Sequence, residues 1–216
     1  MKRFWFFDLD GTLADTDPDI RGAWKAALAD LGLSAPTFDR DFIAGPPIEE
    51  MAKKLLHDVY TPEIGMRIRE RFALRYDHDG FPLTKEYPGV LDAVKRISAA
   101  GGRVFIATNK RYAGAVAMAE HFGWNAVFEK VYAGDMHMDD PKIGRMRKPA
   151  LIAFIMREHG AKCGECVLVG DTCSDFEAAR ANSIESVGVA WGYGDPDELA
   201  QATRIARTPA DIGAEA

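Results

Sequence analysis

KRFWFFDLDGTLADT, residues 2–16, is the most informative stretch of the chain. Phe4–Phe7 is a short, continuously apolar and aromatic run that stops at Asp8. A run of that length, bounded by turn residues, reads as a parallel strand buried on both faces. The two carboxylates that follow, Asp8 and Asp10, are not what such a strand needs. Held this close at the end of a buried strand, they repel and raise each other's pKa unless a cation offsets them. An Asp-Gly pair also makes an ordinary turn through side-chain to backbone hydrogen bonds. A second such acidic pair, Asp171 and Asp175 in GDTCSD, recurs at another strand end and tells against so plain a role.

Further along lie three more apolar runs, VFIA at 104–107, CVLV at 166–169 and SVGVA at 186–190. Polar residues or glycine follow each. Helix-like stretches come next, 111–121 after the second run and 174–182 after the third. Strands alternating with helices predict βαβ units and an open parallel sheet, the α/β class. The segments 19–33, 47–60 and 63–80 behave differently, with apolar residues at helical spacing and breaks at Gly and Pro. No strand is legible there. The expectation is a helical insertion over residues 16–86, with the sheet domain formed by 1–15 and 87–216. Pro88 and Gly89 in KEYPGV mark the return. Asn182 is expected to take the left-handed conformation that ends a helix, and the tail from Arg207 to fray.

With 216 residues, the chain is long enough for one substantial core and a smaller second one. Apolar content of 47% and charged content of 28% fit a globular protein. The net charge of −6 argues against a nucleic-acid surface. No apolar run approaches the roughly 20 residues that span a bilayer, and Asp8 ends the first run too early for a signal peptide. Three cysteines make no disulfide framework in a chain this long, so a reducing, cytoplasmic setting is expected.

Ligands of open parallel sheets bind beyond the carboxyl ends of the strands. Asp8 and Asp10, Thr108 and Asn109, and Asp171 and Asp175 should therefore share one cleft. Four carboxylates and a hydroxyl together call for a hard cation with oxygen ligands, and Mg²⁺ fits. Plainer roles exist for the same residue types. Asp171, Asp175 and Thr108 can cap helices, and Lys148 can be a solvated member of the basic run RMRK. CGEC, Cys163–Cys166, is a single CxxC, weak evidence for metal or redox chemistry; Cys166 instead starts a buried strand.

DLDGTLADT, ATNK, RKPAL and GDTCSD together resemble the four motifs of the haloacid dehalogenase superfamily, and YPGV and VAWGYG are similar to its phosphoglycolate phosphatase-like group. The resemblance implies a Rossmann-like core with an inserted α-helical cap that closes over a small phosphorylated metabolite. It implies Mg²⁺-dependent hydrolysis of a phosphate monoester, phosphoglycolate-like, nucleotide or sugar phosphate. Asp8 would be the nucleophile and Asp10 the general acid and then base. Asp8, the Asp10 backbone carbonyl and Asp171 would hold the metal, with Asp175 in or beside that set. Thr108, Asn109 and Lys148 would bind the phosphate, with Lys142 the other candidate lysine in the long loop 134–147. Gly45 and Pro46, in FIAGPPIEEM, correspond to the cap loop that reads the substrate, and serve equally as a helix breaker and start signal. Asp10 favours phosphoryl transfer over carbon–halogen cleavage, because a halide leaves without a proton. Phosphotransfer to an acceptor, as in a mutase, and a non-catalytic binding subunit are the alternatives, and a monomer and a homodimer are both compatible with the sequence.

Overall fold

In a computed structural model of the chain, which describes residues 2–76 and 80–213, Phe4–Phe7 forms the expected first strand, β1. The chain then runs through β2 (Ala14–Asp15), α1 (Asp17–Asp30), α2 (Phe38–Asp41), α3 (Ile48–Leu56), α4 (Pro62–Tyr76) and β3 (Lys85–Glu86). It continues with α5 (Val90–Ala99), β4 (Arg103–Thr108), α6 (Tyr112–His121), β5 (Lys130–Ala133) and α7 (Lys148–Glu158). The last elements are β6 (Cys166–Gly170), α8 (Cys173–Ala181), β7 (Glu185–Val189), α9 (Pro196–Leu199) and β8 (Arg204–Ala206). The chain divides into two units, one of the chain up to Asp15 and from Lys85 onward, the other Thr16–Thr84. Lys85 and Glu86 pair antiparallel with Asp15 and Ala14, and so belong with the first unit.

The first unit is built on a six-stranded sheet of order β5-β4-β1-β6-β7-β8, parallel at every pairing. β1 lies between β4 and β6, which is why all four of its side chains are apolar: each face of the sheet is covered. Successive side chains alternate faces. Phe4 and Phe6 join Phe105, Tyr132 and Leu168 with Leu151, Ile152 and Ile155 of α7 and Ala178 and Ala179 of α8 in one buried cluster. Phe7 turns the other way and meets Phe128 edge to face. Burying each such aromatic side chain contributes on the order of 1.5–3 kcal/mol.

Two strands, β5 and β8, lie at the sheet edges and were not legible as strands, being short and carrying Lys130 and Arg204 in their first positions. The C-terminal part is more ordered than expected. Asp211 accepts hydrogen bonds from the backbone N–H groups of Arg207 and Thr208 and from the Thr208 hydroxyl, and Ile212 is buried; residues 214–216 lie outside the described ones. The left-handed residue after α8 is Ser183, with φ 54°, and not Asn182. The Asn182 side chain donates instead to the carbonyls of Ala178 and Pro149, tying the end of α8 to the start of α7.

The second unit is helical. An aromatic chain of contacts links Phe38, Phe42, Trp24, Phe72, Tyr76 and Phe81. The Asp19 carboxylate closes the unit, accepting from the N–H groups of Leu83 and Thr84 and from the Thr84 hydroxyl. Among the described residues no helix is long and apolar enough to cross a membrane.

Candidate active site

Sheet register brings the polar residues of three strands to one end. Phe7 pairs with Ile106 of β4 and Val169 of β6, so Asp8, Thr108 and Asp171 all lie just beyond those partners. β1 ends in a tight loop. The Leu9 carbonyl accepts from Leu13, and Gly11 donates to Ala14 with φ +77°, a left-handed conformation that suits glycine. A Cβ on Gly11 would also fall 2.1 Å from Asp171 Oδ2, so the loop needs glycine twice over.

Asp8, Asp171 and Asp175 are buried, and a carboxylate oxygen of each lies within 4.8 Å of the others'. Lys148, the first residue of α7 and 2% exposed, sits among them. Its Nζ is 2.7 Å from Asp8 Oδ2 and 2.5 Å from Asp175 Oδ1. Pro149 fixes this geometry, because its ring is preset for the first turn of a helix and fixes where the helix begins. Lys142 is exposed, its backbone N–H bonded to Asp140. Three of the other oxygens are also held. Asp175 Oδ2 accepts from the Thr172 N–H and hydroxyl in a capping box, so capping and site-building coincide in one residue. Asp171 accepts from the Thr12 hydroxyl at 3.1 Å and the Tyr193 N–H at 2.7 Å. Among the described residues, Asp8 Oδ1 has no hydrogen-bond partner, though it is buried.

Burial raises Asp8 most, and Asp175 and Asp10 add repulsion; Lys148 opposes them, and the carboxyl stands at about 6. Asp171 is pushed up to about 8, by burial first and then by the charges of Asp175 and Asp8, against the Tyr193 N–H and Lys148. Burial pulls Lys148 down, but Asp175 and Asp8 outweigh it and hold the ammonium above its ordinary range. Three carboxylates against one ammonium leave two negative charges when all are ionised. That excess matches a divalent cation, and an orphaned buried oxygen on Asp8 offers it a hard ligand. The residues present fit such an ion.

At the end of β4 the Thr108 hydroxyl accepts the Lys110 N–H at 3.1 Å, and Asn109 donates to Ser174 Oγ at 3.0 Å. Lys110, to which the sequence assigned no role, reaches Asp10 Oδ1 at 2.8 Å. Thr12, Lys110 and Tyr193 are thus the site's unforeseen members. The signal for the last was the glycine pair in WGYG. A Cβ on Gly192 would lie 2.2 Å from Asp171 Cβ, and one on Gly194 1.9 Å from the Asp171 carbonyl oxygen, so only glycines let this loop close on Asp171. Gly45 and Pro46 lie in the helical unit, just before α3, with Gly45 at φ +117°. In CGEC, Cys166 is fully buried in β6 and donates to the Lys162 carbonyl, while Cys163 is exposed. Burial lifts the Cys166 thiol to about 12, which suits an inert packing role.

The family model for haloacid dehalogenase-like hydrolases matches residues 5–189. The chain belongs to that family. A 5'-nucleotidase from Pseudomonas aeruginosa is 28% identical over 196 residues, covering 89% of this chain and 85% of that protein. A phosphoglycolate phosphatase from Agrobacterium fabrum is 30% identical over 195 residues, covering 88% and 81%. The solved structure of a haloacid dehalogenase-like family hydrolase from Streptococcus pneumoniae overlays with a TM-score of 0.83, covering 98% of this hydrolase and 96% of that chain; at 24% identity it is a likeness of fold.

Proposed function

We propose that the chain, a phosphatase of this family, hydrolyses small phosphate monoesters through a phosphorylated Asp8, with Mg²⁺ as its cofactor. The observation that carries the reading is Lys148, a fully enclosed ammonium held between Asp8 and Asp175 in a cluster whose three carboxylates, once ionised, leave two negative charges unmatched. A structural ion pair needs no such imbalance; a site that receives a divalent cation and a phosphate does.

In this reading Asp8, Asp171 and the backbone carbonyl of Asp10 hold the ion, with Asp175 beside them. When bound, the ion offsets their charge and lets an anionic carboxylate approach an anionic phosphate. A carboxylate oxygen of Asp8 forms the bond to phosphorus as the ester P–O bond breaks, and Asp10 gives its proton to the leaving alkoxide. Asp10 then takes a proton from water, whose oxygen attacks phosphorus; phosphate leaves and Asp8 is restored. Lys148 fixes Asp8 through Oδ2 and neutralises phosphate charge. Thr108 and the N–H of Asn109 hold the phosphate oxygens. The work is mostly positioning and charge stabilisation, as in phosphoryl transfer generally.

The relatives' names point to a small anionic metabolite, a nucleoside monophosphate or phosphoglycolate, as substrate class. Water as acceptor, in preference to a second sugar phosphate, is supported by the surroundings of Gly45 and Pro46. The nearest basic side chains in sequence, Arg40 and Lys53, lie against Asp41 and over the Tyr60 ring. The free thiols of Cys163, Cys166 and Cys173 support a reducing compartment such as the cytoplasm.

The test is phosphate release from phosphoglycolate, nucleoside monophosphates and sugar phosphates, with Mg²⁺ and with chelator, for wild type and Asp8→Asn. Cation-dependent release that vanishes in Asp8→Asn supports the proposal. No release from any ester contradicts it.

A further inference from the structure

The turn after β4 places a second enclosed cation beside the first acidic pair. Lys110 Nζ lies 2.8 Å from Asp10 Oδ1, its side chain 7% exposed and that of Asp10 14%. The contact joins residues 100 positions apart. It is also built: the Thr108 hydroxyl accepts the Lys110 N–H, and Asn109 is tied to Ser174, so the turn that carries Lys110 is anchored at each of its first two residues. A long, flexible lysine side chain loses considerable rotamer freedom when fixed in this way.

We propose that Lys110 is a positioning residue that orients Asp10 for both of its proton transfers. This rests on the phosphatase reading of Asp10. Lys110 holds the carboxylate by Oδ1. The oxygen that accepts from an ammonium is the less basic of the two, so the proton that Asp10 passes is carried on Oδ2. Lys110 thereby sets which oxygen faces the leaving group and, in the second step, the attacking water. Without it Oδ1 loses the contact that fixes it, and proton transfer loses part of the geometry on which it depends.

This role has a signature that stability alone lacks. An alkoxide leaving group needs the proton; p-nitrophenolate leaves without one. Because kcat/KM reports the steps up to phospho-enzyme formation, it isolates the acid role of Asp10. The experiment compares wild type, Lys110→Met and Lys110→Arg on p-nitrophenyl phosphate, phenyl phosphate and an alkyl phosphate that wild type accepts, glycerol 2-phosphate or phosphoglycolate. Well-placed acid–base catalysis contributes about 10²–10⁴-fold, so kcat/KM of Lys110→Met should fall by about 30-fold or more on the alkyl ester and less than about 3-fold on p-nitrophenyl phosphate. Its kcat on p-nitrophenyl phosphate should fall too, with a burst of one p-nitrophenol per site, because hydrolysis of the phospho-enzyme still needs Asp10 as base. Lys110→Arg, which keeps a donor cation, should recover most of the alkyl activity.

Loss of the same size on every ester, or no loss on any, overturns the proposal. Should Lys110→Met fail to fold, as judged by circular dichroism, Lys110→Gln takes its place under the same criterion. Wild type that turns over none of the esters instead removes the phosphatase reading beneath it, and is told apart by that.

Discussion

In the absence of divalent cation, raising the pH from 6 to 8 should destabilise the folded chain, and Mg²⁺ should reverse the loss. Asp171 stands at about 8 and Asp8 at about 6, both above the 3.8 of an exposed aspartate. A carboxyl whose folded pKa is raised binds its proton more tightly in the folded state. The stability it contributes is full below the unfolded value and is lost as pH rises through the folded one. Between pH 6 and 8 the change falls mainly to Asp171, which the folded chain keeps protonated while the unfolded chain has already released the proton. Two pH units at about 1.4 kcal/mol each make about 3 kcal/mol. For a chain of this size each kcal/mol moves Tm by about 2–4 °C, so Tm should drop by about 6–12 °C across the window. The assay is thermal unfolding by circular dichroism with chelator, at half-unit pH steps, for wild type and Asp171→Asn. The variant lacks the group, so the difference in slope between the two isolates it. Because the ion must displace the bound proton, added Mg²⁺ should stabilise wild type far more at pH 8 than at pH 6. A wild-type slope no steeper than that of Asp171→Asn, or an equal gain from Mg²⁺ at both pH values, would refute the reasoning.

Three further outcomes follow from the same contacts. Lys148→Met leaves Asp8 and Asp175 buried without their cation, which at pH 8 with chelator should cost about 3–5 kcal/mol by urea unfolding, with a smaller cost at pH 5, where the carboxyls take up protons; phosphate release should be lost. Gly192→Ala drives a Cβ to within 2.2 Å of Asp171 Cβ, so it should displace that carboxylate and lower both Tm and Mg²⁺ affinity, read by calorimetry. In the helical unit, Asp19→Ala removes one carboxylate that serves the Leu83 and Thr84 N–H groups and the Thr84 hydroxyl, and should cost about 2 kcal/mol by urea unfolding while leaving the 6-to-8 pH slope of Tm unchanged.

What was legible in the sequence was what depends on local pattern. β1 is apolar at every position because it is covered on both faces, and that run together with Asp8 and Asp10 marks both sheet and site. Lys148 could be separated from Lys142 only by the helix start at Pro149, a local signal whose consequence, burial between two carboxylates, is tertiary. β8 is hard to read because an edge strand needs no second apolar face, and β5 because its buried run is only Val131, Tyr132 and Ala133. The Tyr193 N–H escaped because a backbone donor is marked by no residue type of its own; only the flanking Gly192 and Gly194, which let the loop close on Asp171, signal it. Lys110 sat in a recognised motif, but its partner is 100 residues away. Asp135 accepts the Tyr112 N–H at the start of α6, a cap whose two halves lie on different segments and which no local pattern marks.

The proposed mechanism depends above all on Asp8 carrying the phosphoryl group. The most direct measurement mixes the enzyme and Mg²⁺ with a ³²P-labelled ester that it hydrolyses, quenches in acid within milliseconds, and maps the label by peptide. The account predicts acid-stable, hydroxylamine-labile label on the peptide that contains Asp8, formed and lost at rates consistent with turnover and absent in Asp8→Asn. Turnover by wild type with no label on that peptide, under conditions where formation outruns hydrolysis, or turnover that persists in Asp8→Asn, would contradict it.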